Sequence, residues 1–90
     1  MTNSENFVLA AQVVLKLKKT PTNDEKLVLY KFYKQATVGD VNTARPGMLD
    51  FAGKAKWDAW ESVKGTVQHD AEVNYITTVN NLIKTYGVNQ

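Results

Sequence analysis

The sequence predicts an all-α fold, a four-helix bundle with one long crossover loop between its second and third helices. Apolar residues recur at helical spacings of three and four in the 90-residue chain. The connections between these stretches are unequal in length, unlike those of a symmetric up-down bundle. We expect helices at about 4–18, 22–38, 52–64 and 66–86, within a single domain spanning residues 1–90.

The first two helices are predicted from their starting residues. Ser4 can cap the first helix, and Thr20-Pro21 ends it because the residue before a proline avoids helical angles. Thr22 and Glu25 have the spacing of a capping box, in which each side chain bonds the backbone of the other residue. The first helix carries one apolar stripe, formed by Phe7, Ala11, Val14 and Leu15.

The segment between the second and third helices has no periodicity from Gly39 to Asp50, which is long for a helix connection. Arg45-Pro46-Gly47 places proline and glycine where a type II turn needs them. We expect this segment to be a packed crossover loop, with a loop that binds a ligand as the alternative.

The last two helices are separated by Gly65, with Thr66 as the predicted cap of the fourth. Trp57 and Trp60 share a face of the third helix, since they are three residues apart. The fourth helix has a regular apolar stripe of Tyr75, Ile76, Val79, Leu82, Ile83 and Tyr86.

Composition excludes several classes of protein. The chain has no cysteine, hence no disulfide or thiolate metal site, and its net charge of +2 is too small to suggest a nucleic-acid partner. The apolar stretch from Phe7 to Val14 is too short to span a membrane and no basic segment precedes it. We therefore expect a soluble protein of the cytoplasm, without stable membrane insertion.

An enzymatic function is not supported by the polar residues. The single histidine, His69, is expected to be a solvated residue in the first turn of the fourth helix. Asp58 and Glu61 are expected to be solvated partners of lysines, since nothing suggests the burial that would raise a carboxyl pKa. No catalytic residue, metal site or cofactor is predicted.

The second helix carries the strongest chemical pattern. Lys26, Leu27, Tyr30, Tyr33 and Lys34 lie within roughly one third of its circumference. A phosphate could meet the ammonium and phenol groups, a base could stack on a tyrosine, and the leucine could meet an aliphatic chain. The periodicity alone favours a solvated face, with lysines lying over ordinary tyrosines, over a ligand site. The opposite side carries the expected core residues Val28, Phe32 and Ala36.

Three segments, Tyr30–Asp40, Arg45–Asp50 and Lys54–Trp60, resemble the acyl-CoA-binding protein family. The resemblance covers nearly the whole chain, because Phe7 and Pro21 also match. It implies a four-helix bundle with an extended crossover loop. It also implies reversible, non-catalytic binding of medium- to long-chain acyl-CoA esters, which protects and transports the acyl-CoA pool.

The resemblance also implies the residues of the site. Tyr30, Lys34 and Lys56 would hold the ribose 3′-phosphate of coenzyme A. Tyr33 and Lys56 would flank the adenine, and Tyr75 would contact the adenosine. Long-chain acyl-CoA is thus the expected ligand of a protein expected to be a monomer.

Further contacts are expected around this set, some at positions that depart from the family. Leu15 stands where the family commonly has a lysine, for which Lys18 could substitute, and Lys26 stands where an apolar residue often lines the acyl groove. Thr20 and Ala52 also replace frequent lysines, which should weaken electrostatic steering. The secondary ligand contacts are Leu15, Lys18, Lys26, Leu27, Lys31 and Phe32.

Two other functions are compatible with a helical domain of this kind. A helical interaction module would use the tyrosine-lysine face to dock an acidic peptide or an anionic membrane surface. A thioesterase or acyltransferase would need a nucleophile–base pair, which the sequence does not provide.

Overall fold

The computed structural model describes residues 2–89, which form four α-helices and, in this part of the chain, no named strand. Helix α4 packs against both α1 and α2, and α3 packs against α2. A loop of thirteen residues, 38–50, joins α2 to α3, so the predicted bundle with a long crossover is confirmed. The helices are α1 (Glu5–Val13), α2 (Asn23–Thr37), α3 (Phe51–Glu61) and α4 (Gln68–Tyr86).

Two side-chain caps start α1 and α2 as the sequence predicts. The Ser4 hydroxyl accepts from the Phe7 amide at 3.2 Å. The capping box is complete, because the Glu25 amide donates to Thr22 Oγ1 at 3.1 Å and the Thr22 amide donates to Glu25 Oε1 at 2.8 Å. Such reciprocal bonds satisfy amides that have no partner within the helix.

The first helix ends earlier than the predicted residue 18. It stops at Val13, and one 3-10 turn follows before Leu17 takes an extended conformation and forms a β-bridge with Val88. The Lys18 amide donates to the Gly87 carbonyl at 2.9 Å in the same bridge. The chain therefore leaves the helix in order to pair with the segment after α4.

The crossover loop is a packed loop held against α3. The indole nitrogens of Trp57 and Trp60 donate to the carbonyls of Thr43 and Gly39, each at 2.8 Å. The predicted type II turn at Arg45-Pro46-Gly47 is wrong, because Gly47 does not have the positive φ that such a turn requires. The turn forms two residues later, where the Asp50 amide donates to the Gly47 carbonyl at 3.0 Å.

Helix α3 ends three residues before the predicted residue 64, and α4 begins two residues after the predicted residue 66. The N-cap of α4 is Val67, whose side chain makes no capping hydrogen bond, so the predicted cap at Thr66 is wrong. The Thr66 carbonyl instead accepts from Gln35 Nε2 at 2.8 Å. A contact with α2 thus sets the start of α4.

The core lies where α4 crosses α1 and α2, and its buried residues are Phe7, Ala36, Ala71, Tyr75 and Val79. Of the core residues expected on α2, Ala36 is 2% exposed and Phe32 packs against the cluster. Within residues 2–89, no helix is long and apolar enough to cross a bilayer.

A polar network joins the end of α2 to the loop before α4. Gln35, 3% exposed, donates both amide hydrogens, one to the Thr66 carbonyl and the other to Asp40 Oδ1 at 2.8 Å. Asp40 Oδ1 also accepts from the Gly65 amide at 2.8 Å. These hydrogen bonds lower the pKa of Asp40, that from Gly65 most strongly.

A second polar contact ties the N-terminal segment to α4. Glu72 is buried, and its Oε2 accepts from Asn3 Nδ2 and from the Ser4 amide, each at 2.9 Å. Burial raises the pKa of Glu72, but these hydrogen bonds outweigh it and the net pKa lies below the ordinary value. The carboxylate therefore remains charged while it fixes the entry to α1.

Candidate functional site

An open groove of about 340 Å³ lies where α2, α3 and α4 meet the end of α1. Its wall contains two lysines and three tyrosines beside apolar side chains. Such a wall offers cations, phenol groups and hydrocarbon to one ligand. The lining residues are Val14, Lys26, Leu29, Tyr30, Tyr33, Lys56 and Tyr75.

An aromatic cluster connects the groove to the core. The ring of Phe7 lies 4.9 Å from that of Tyr75 and 5.7 Å from that of Tyr33, measured between centroids. Tyr33 and Tyr75 are 5.8 Å apart, and only Tyr33 is exposed, by 42%. Since Phe7 is 2% exposed, the groove has a rigid aromatic base that comes from three helices.

Tyr75 is a buried residue with a polar group in the groove. It is 4% exposed, and its hydroxyl makes no hydrogen bond to any of residues 2–89. Burial, with a smaller effect of Tyr33, raises the pKa of Tyr75 to about 12. The hydroxyl is thus a neutral donor over the physiological range, and it is available to a ligand.

The cations near the groove lie over aromatic rings. Lys56 Nζ is 5.6 Å from the ring centroid of Tyr30, and Lys34 Nζ is 4.8 Å from that of Trp60. Neither ammonium has a carboxylate within 4.0 Å in the described part of the chain. A cation held over a ring keeps its donors free, so a phosphate can bind without breaking an ion pair.

The structure brings together four of the five residues expected to form the main site, namely Tyr30, Tyr33, Lys56 and Tyr75. The fifth, Lys34, does not line the groove and lies against Trp60 of α3. Of the secondary set, Lys26 lines the groove.

The other secondary residues lie outside the groove lining. Leu15 is 85% exposed on the 3-10 turn, and Leu27 is half-buried on α2. The Lys18 side chain lies against Gly87, so that a Cβ added to this glycine would be 3.3 Å from Cδ of Lys18. Lys31 Nζ is 5.1 Å from the ring centroid of Phe32, which itself packs against the core.

Two apolar lining residues were not among the predicted contacts. Leu29 is three residues after Lys26 and four before Tyr33, so helical spacing alone places it on the same face. Val14 was assigned only to the apolar stripe of the first helix. Its place in the groove depends on how α1 ends, which the sequence does not reveal.

The groove has the composition of a binding site. Residues 2–89 contain no group of three or more histidine, cysteine or carboxylate side chains that could hold a metal ion. The lysines and phenols suit a phosphate, while Val14 and Leu29 suit hydrocarbon. An amphiphilic anion is the class of ligand that fits both halves.

Comparison with known proteins places the chain among close relatives. The family model described as "Acyl CoA binding protein" matches residues 4–79. The "Acyl-CoA-binding protein homolog" of Drosophila melanogaster is 51% identical over 84 residues, which cover 93% of this chain and 98% of that protein. "Acyl-CoA-binding protein homolog 1" of Caenorhabditis elegans is 51% identical over 82 residues, covering 91% and 95%. The crystal structure of Oryza sativa Acyl-CoA-Binding Protein 2 superimposes with a TM-score of 0.85 at 43% identity, covering 90% of each chain.

Proposed function

The chain belongs to the acyl-CoA-binding protein family, and we propose that the groove between α2, α3 and α4 is where it holds its ligand. The protein binds acyl-CoA esters reversibly, without catalysing a reaction, and serves the acyl-CoA pool. The observation that carries the assignment to the groove is the meeting of free ammonium and phenol groups with an apolar wall in one concavity.

The head group is assigned to the cationic side of the groove. In our proposal Tyr30, Lys34 and Lys56 hold the ribose 3′-phosphate. Tyr33 and Lys56 flank the adenine, and the Tyr75 hydroxyl contacts the adenosine. Support comes from Lys56, whose ammonium lies over the Tyr30 ring, and from the exposed face of Tyr33. Lys34 would swing away from Trp60 to reach the phosphate.

The acyl chain is assigned to the apolar wall, with Leu29 of the groove lining as a contact on α2. Leu27, which lies outside the lining, is the further contact on α2 that the family resemblance implies. Burying about ten methylenes at ~0.8 kcal/mol each yields ~8 kcal/mol before ordering costs. Nanomolar affinity requires about 12 kcal/mol, so head group and tail must both contribute. A long acyl tail is thereby kept from water.

The test is calorimetric titration with palmitoyl-CoA, free coenzyme A and palmitate. We expect palmitoyl-CoA to bind far more tightly than either of its halves, since each half gains only part of the binding free energy. Similar affinities for all three compounds would contradict the proposal.

Lys34→Ala tests the assignment of the head group. It should weaken the binding of palmitoyl-CoA much more than the binding of palmitoyl-dephospho-CoA, which lacks the 3′-phosphate. Lys84→Ala, an exposed lysine in the last turn of α4, is the matched control and should change neither affinity. If Lys34→Ala lost the same affinity for both ligands, Lys34 would not contact the 3′-phosphate.

We further propose that the protein acts as a monomer in the cytoplasm and needs no cofactor. The absence of cysteine suits a reducing compartment. Light scattering after size-exclusion chromatography, with and without palmitoyl-CoA, measures the oligomeric state directly.

A further inference from the structure

The wall of the groove contains two lysines, Lys26 of α2 and Lys56 of α3, and no acidic residue. Lys56 Nζ lies over the ring of Tyr30. The Lys26 ammonium, in contrast, has no carboxylate within 4.0 Å among residues 2–89, and within them it makes no hydrogen bond and lies over no ring. In this part of the chain the Lys26 ammonium is therefore free for a ligand.

One anionic group of coenzyme A has no partner among the residues proposed above. The 3′-phosphate is assigned to Tyr30, Lys34 and Lys56, and the adenosine is assigned to Tyr33 and Tyr75. The 5′-diphosphate, which joins the ribose to the pantetheine arm, is present in every acyl-CoA ester and is charged throughout the physiological pH range. Its oxygens are strong acceptors, so a free ammonium in the same groove is a suitable partner.

The position of Lys26 along α2 suits the diphosphate. Lys26 lies four residues before Tyr30, which places it on the same face of the helix and about 6 Å away along the axis. Tyr33, the proposed neighbour of the adenine, lies beyond Tyr30 in the other direction. Because one ribose carries all three groups, a ligand with its adenine at Tyr33 and its 3′-phosphate at Tyr30 extends its diphosphate towards Lys26. The flexible stem of a lysine lets the ammonium reach it.

The surroundings of Lys26 favour an anion at the rim of the groove. Apart from its lysines and tyrosines, the groove is lined by the aliphatic residues Val14 and Leu29. Lys26 belongs to the lining and is nevertheless exposed, so its ammonium lies at the rim. An ammonium pressed against an acyl chain would lose water without gaining a hydrogen bond, whereas a diphosphate at the rim supplies acceptors. The methylenes of the lysine can cover the acyl chain at the same time.

The carboxylates next to Lys26 in sequence keep their charge but lie outside the groove lining. Glu25 Oε1 accepts from the Thr22 amide at 2.8 Å and from the Tyr86 hydroxyl at 2.7 Å, which directs this carboxylate towards the end of α4. Asp24 is exposed and lies about 200° from Lys26 around the helix. Both carboxylates reduce the long-range attraction of an anion, but neither occupies the place where the ammonium and the diphosphate meet.

We propose that Lys26 binds the 5′-diphosphate of acyl-CoA esters and adds a second anion contact to the groove, beside that of the 3′-phosphate. The inference rests on the proposed function, because it takes coenzyme A as the head group of the ligand. Since the diphosphate is common to all acyl-CoA esters, Lys26 contributes the same binding free energy whatever the length of the acyl chain.

Calorimetric titration of Lys26→Met tests the contact, because methionine keeps an unbranched side chain on the helix and removes the ammonium. The ligands are palmitoyl-CoA, palmitoyl-dephospho-CoA and octanoyl-CoA, which all contain the diphosphate. The variant should lose the same factor of affinity, roughly three- to tenfold, for all three ligands at low salt, and less at high salt. Lys26→Arg should retain the affinity, and Lys26→Glu should lose more than Lys26→Met. The control is Lys84→Met, an exposed lysine in the last turn of α4, which should leave all three affinities unchanged.

The pattern of losses separates this contact from other roles of Lys26. A loss confined to palmitoyl-CoA and octanoyl-CoA would mean that Lys26 binds the 3′-phosphate, and a loss that changes with acyl length would mean that it contacts the tail. An equal loss that salt does not reduce and that Lys26→Arg does not restore would mean a role in packing. Each of these results, or an unchanged affinity in Lys26→Met, overturns the inference while the proposed function stands. If the unchanged protein does not bind palmitoyl-CoA, the proposed function fails, and the inference fails with it.

Discussion

The groove and the junction between the crossover loop and α3 differ in whether their cations are paired with carboxylates. At the junction, Arg45 donates two hydrogen bonds of 2.9 Å to Asp58, the only ion pair within residues 2–89. At the groove, Lys56 and Lys34 lie over aromatic rings without a carboxylate partner. A paired cation is already engaged within the fold, whereas an unpaired one remains free for a ligand.

The same contrast holds for neutral donors. Gln35, at the end of α2, uses both amide hydrogens within the protein, although its Oε1 is buried without a partner. The Tyr75 side chain is also buried, but its hydroxyl makes no hydrogen bond to residues 2–89 and is available to a ligand in the groove. The amide hydrogens of Gln35 therefore stabilise the fold, whereas the hydroxyl of Tyr75 is free for the site.

The largest expected effect is on ligand affinity, from Lys56→Ala. Removing a free ammonium next to Tyr30 should weaken palmitoyl-CoA binding roughly 10- to 100-fold, or about 1.4–2.8 kcal/mol. The free energy of unfolding should hardly change, because no ion pair is lost. Calorimetry and urea denaturation measure the two quantities, with Lys84→Ala as the control. A loss of stability without a loss of affinity would show that Lys56 stabilises the fold and does not bind the ligand.

Gln35→Ala should have the opposite profile. It removes the partly buried hydrogen bonds from Gln35 to Asp40 and to the Thr66 carbonyl, and it should lower the free energy of unfolding by about 1–2 kcal/mol. Affinity for palmitoyl-CoA should stay within roughly twofold, since Gln35 does not line the groove. Lys34→Ala, at the neighbouring position of the same helix, is a useful contrast. It should weaken ligand binding and leave the free energy of unfolding nearly unchanged.

Local rules predicted what depends on neighbours in sequence. The capping box of Thr22 and Glu25 needs only the geometry of one turn, and it is present with both bonds. The face that carries Tyr30 and Tyr33 follows from helical periodicity in the same way, and both line the groove. Helical periodicity could also have predicted Leu29, because it lies on the same face.

Contacts between distant segments explain what the sequence could not predict. The first helix stops at Val13 because Leu17 pairs with Val88, a residue 71 positions later. The position of Lys34 is set by Trp60, whose ring lies under its ammonium only after α3 has packed on α2. Propensities and periods carry no information about such pairs, so the site could be predicted only by residue type and family pattern.

Arg45→Ala should have a smaller effect than either change above. Both partners of the Arg45–Asp58 pair are about half exposed, and exposed ion pairs contribute little because water and salt screen them. We expect a slight loss of stability that shrinks further in high salt, with unchanged affinity for palmitoyl-CoA. Urea denaturation at low and high salt measures it. A large loss that is independent of salt would show that the pair is essential to the loop.

Near neutral pH the effects of titration are the smallest, because the network around Asp40 should respond only in acid and the groove only in alkali. The pKa of Asp40 is lowered in the folded protein from its ordinary 3.8, so the unfolded chain takes up its proton first as the pH falls. The stability that the Asp40 carboxylate contributes is therefore present above about pH 3.8 and is lost as the pH falls below it. Asp40→Asn keeps the acceptor oxygen, removes the charge and should abolish this acid component.

For Tyr75 in the groove, the change of stability with pH has the opposite sign. The pKa of Tyr75 is raised from 10.0 to about 12, so between these values the unfolded chain has lost a proton that the folded protein retains. Stability should therefore fall as the pH rises through this window, and Tyr75→Phe should remove that part of the decline. Urea denaturation from pH 9 to 12 compares the two proteins. If Tyr75→Phe declined as steeply as the unchanged protein, the phenol would have to be solvated, and Tyr75 would no longer differ from the exposed tyrosines.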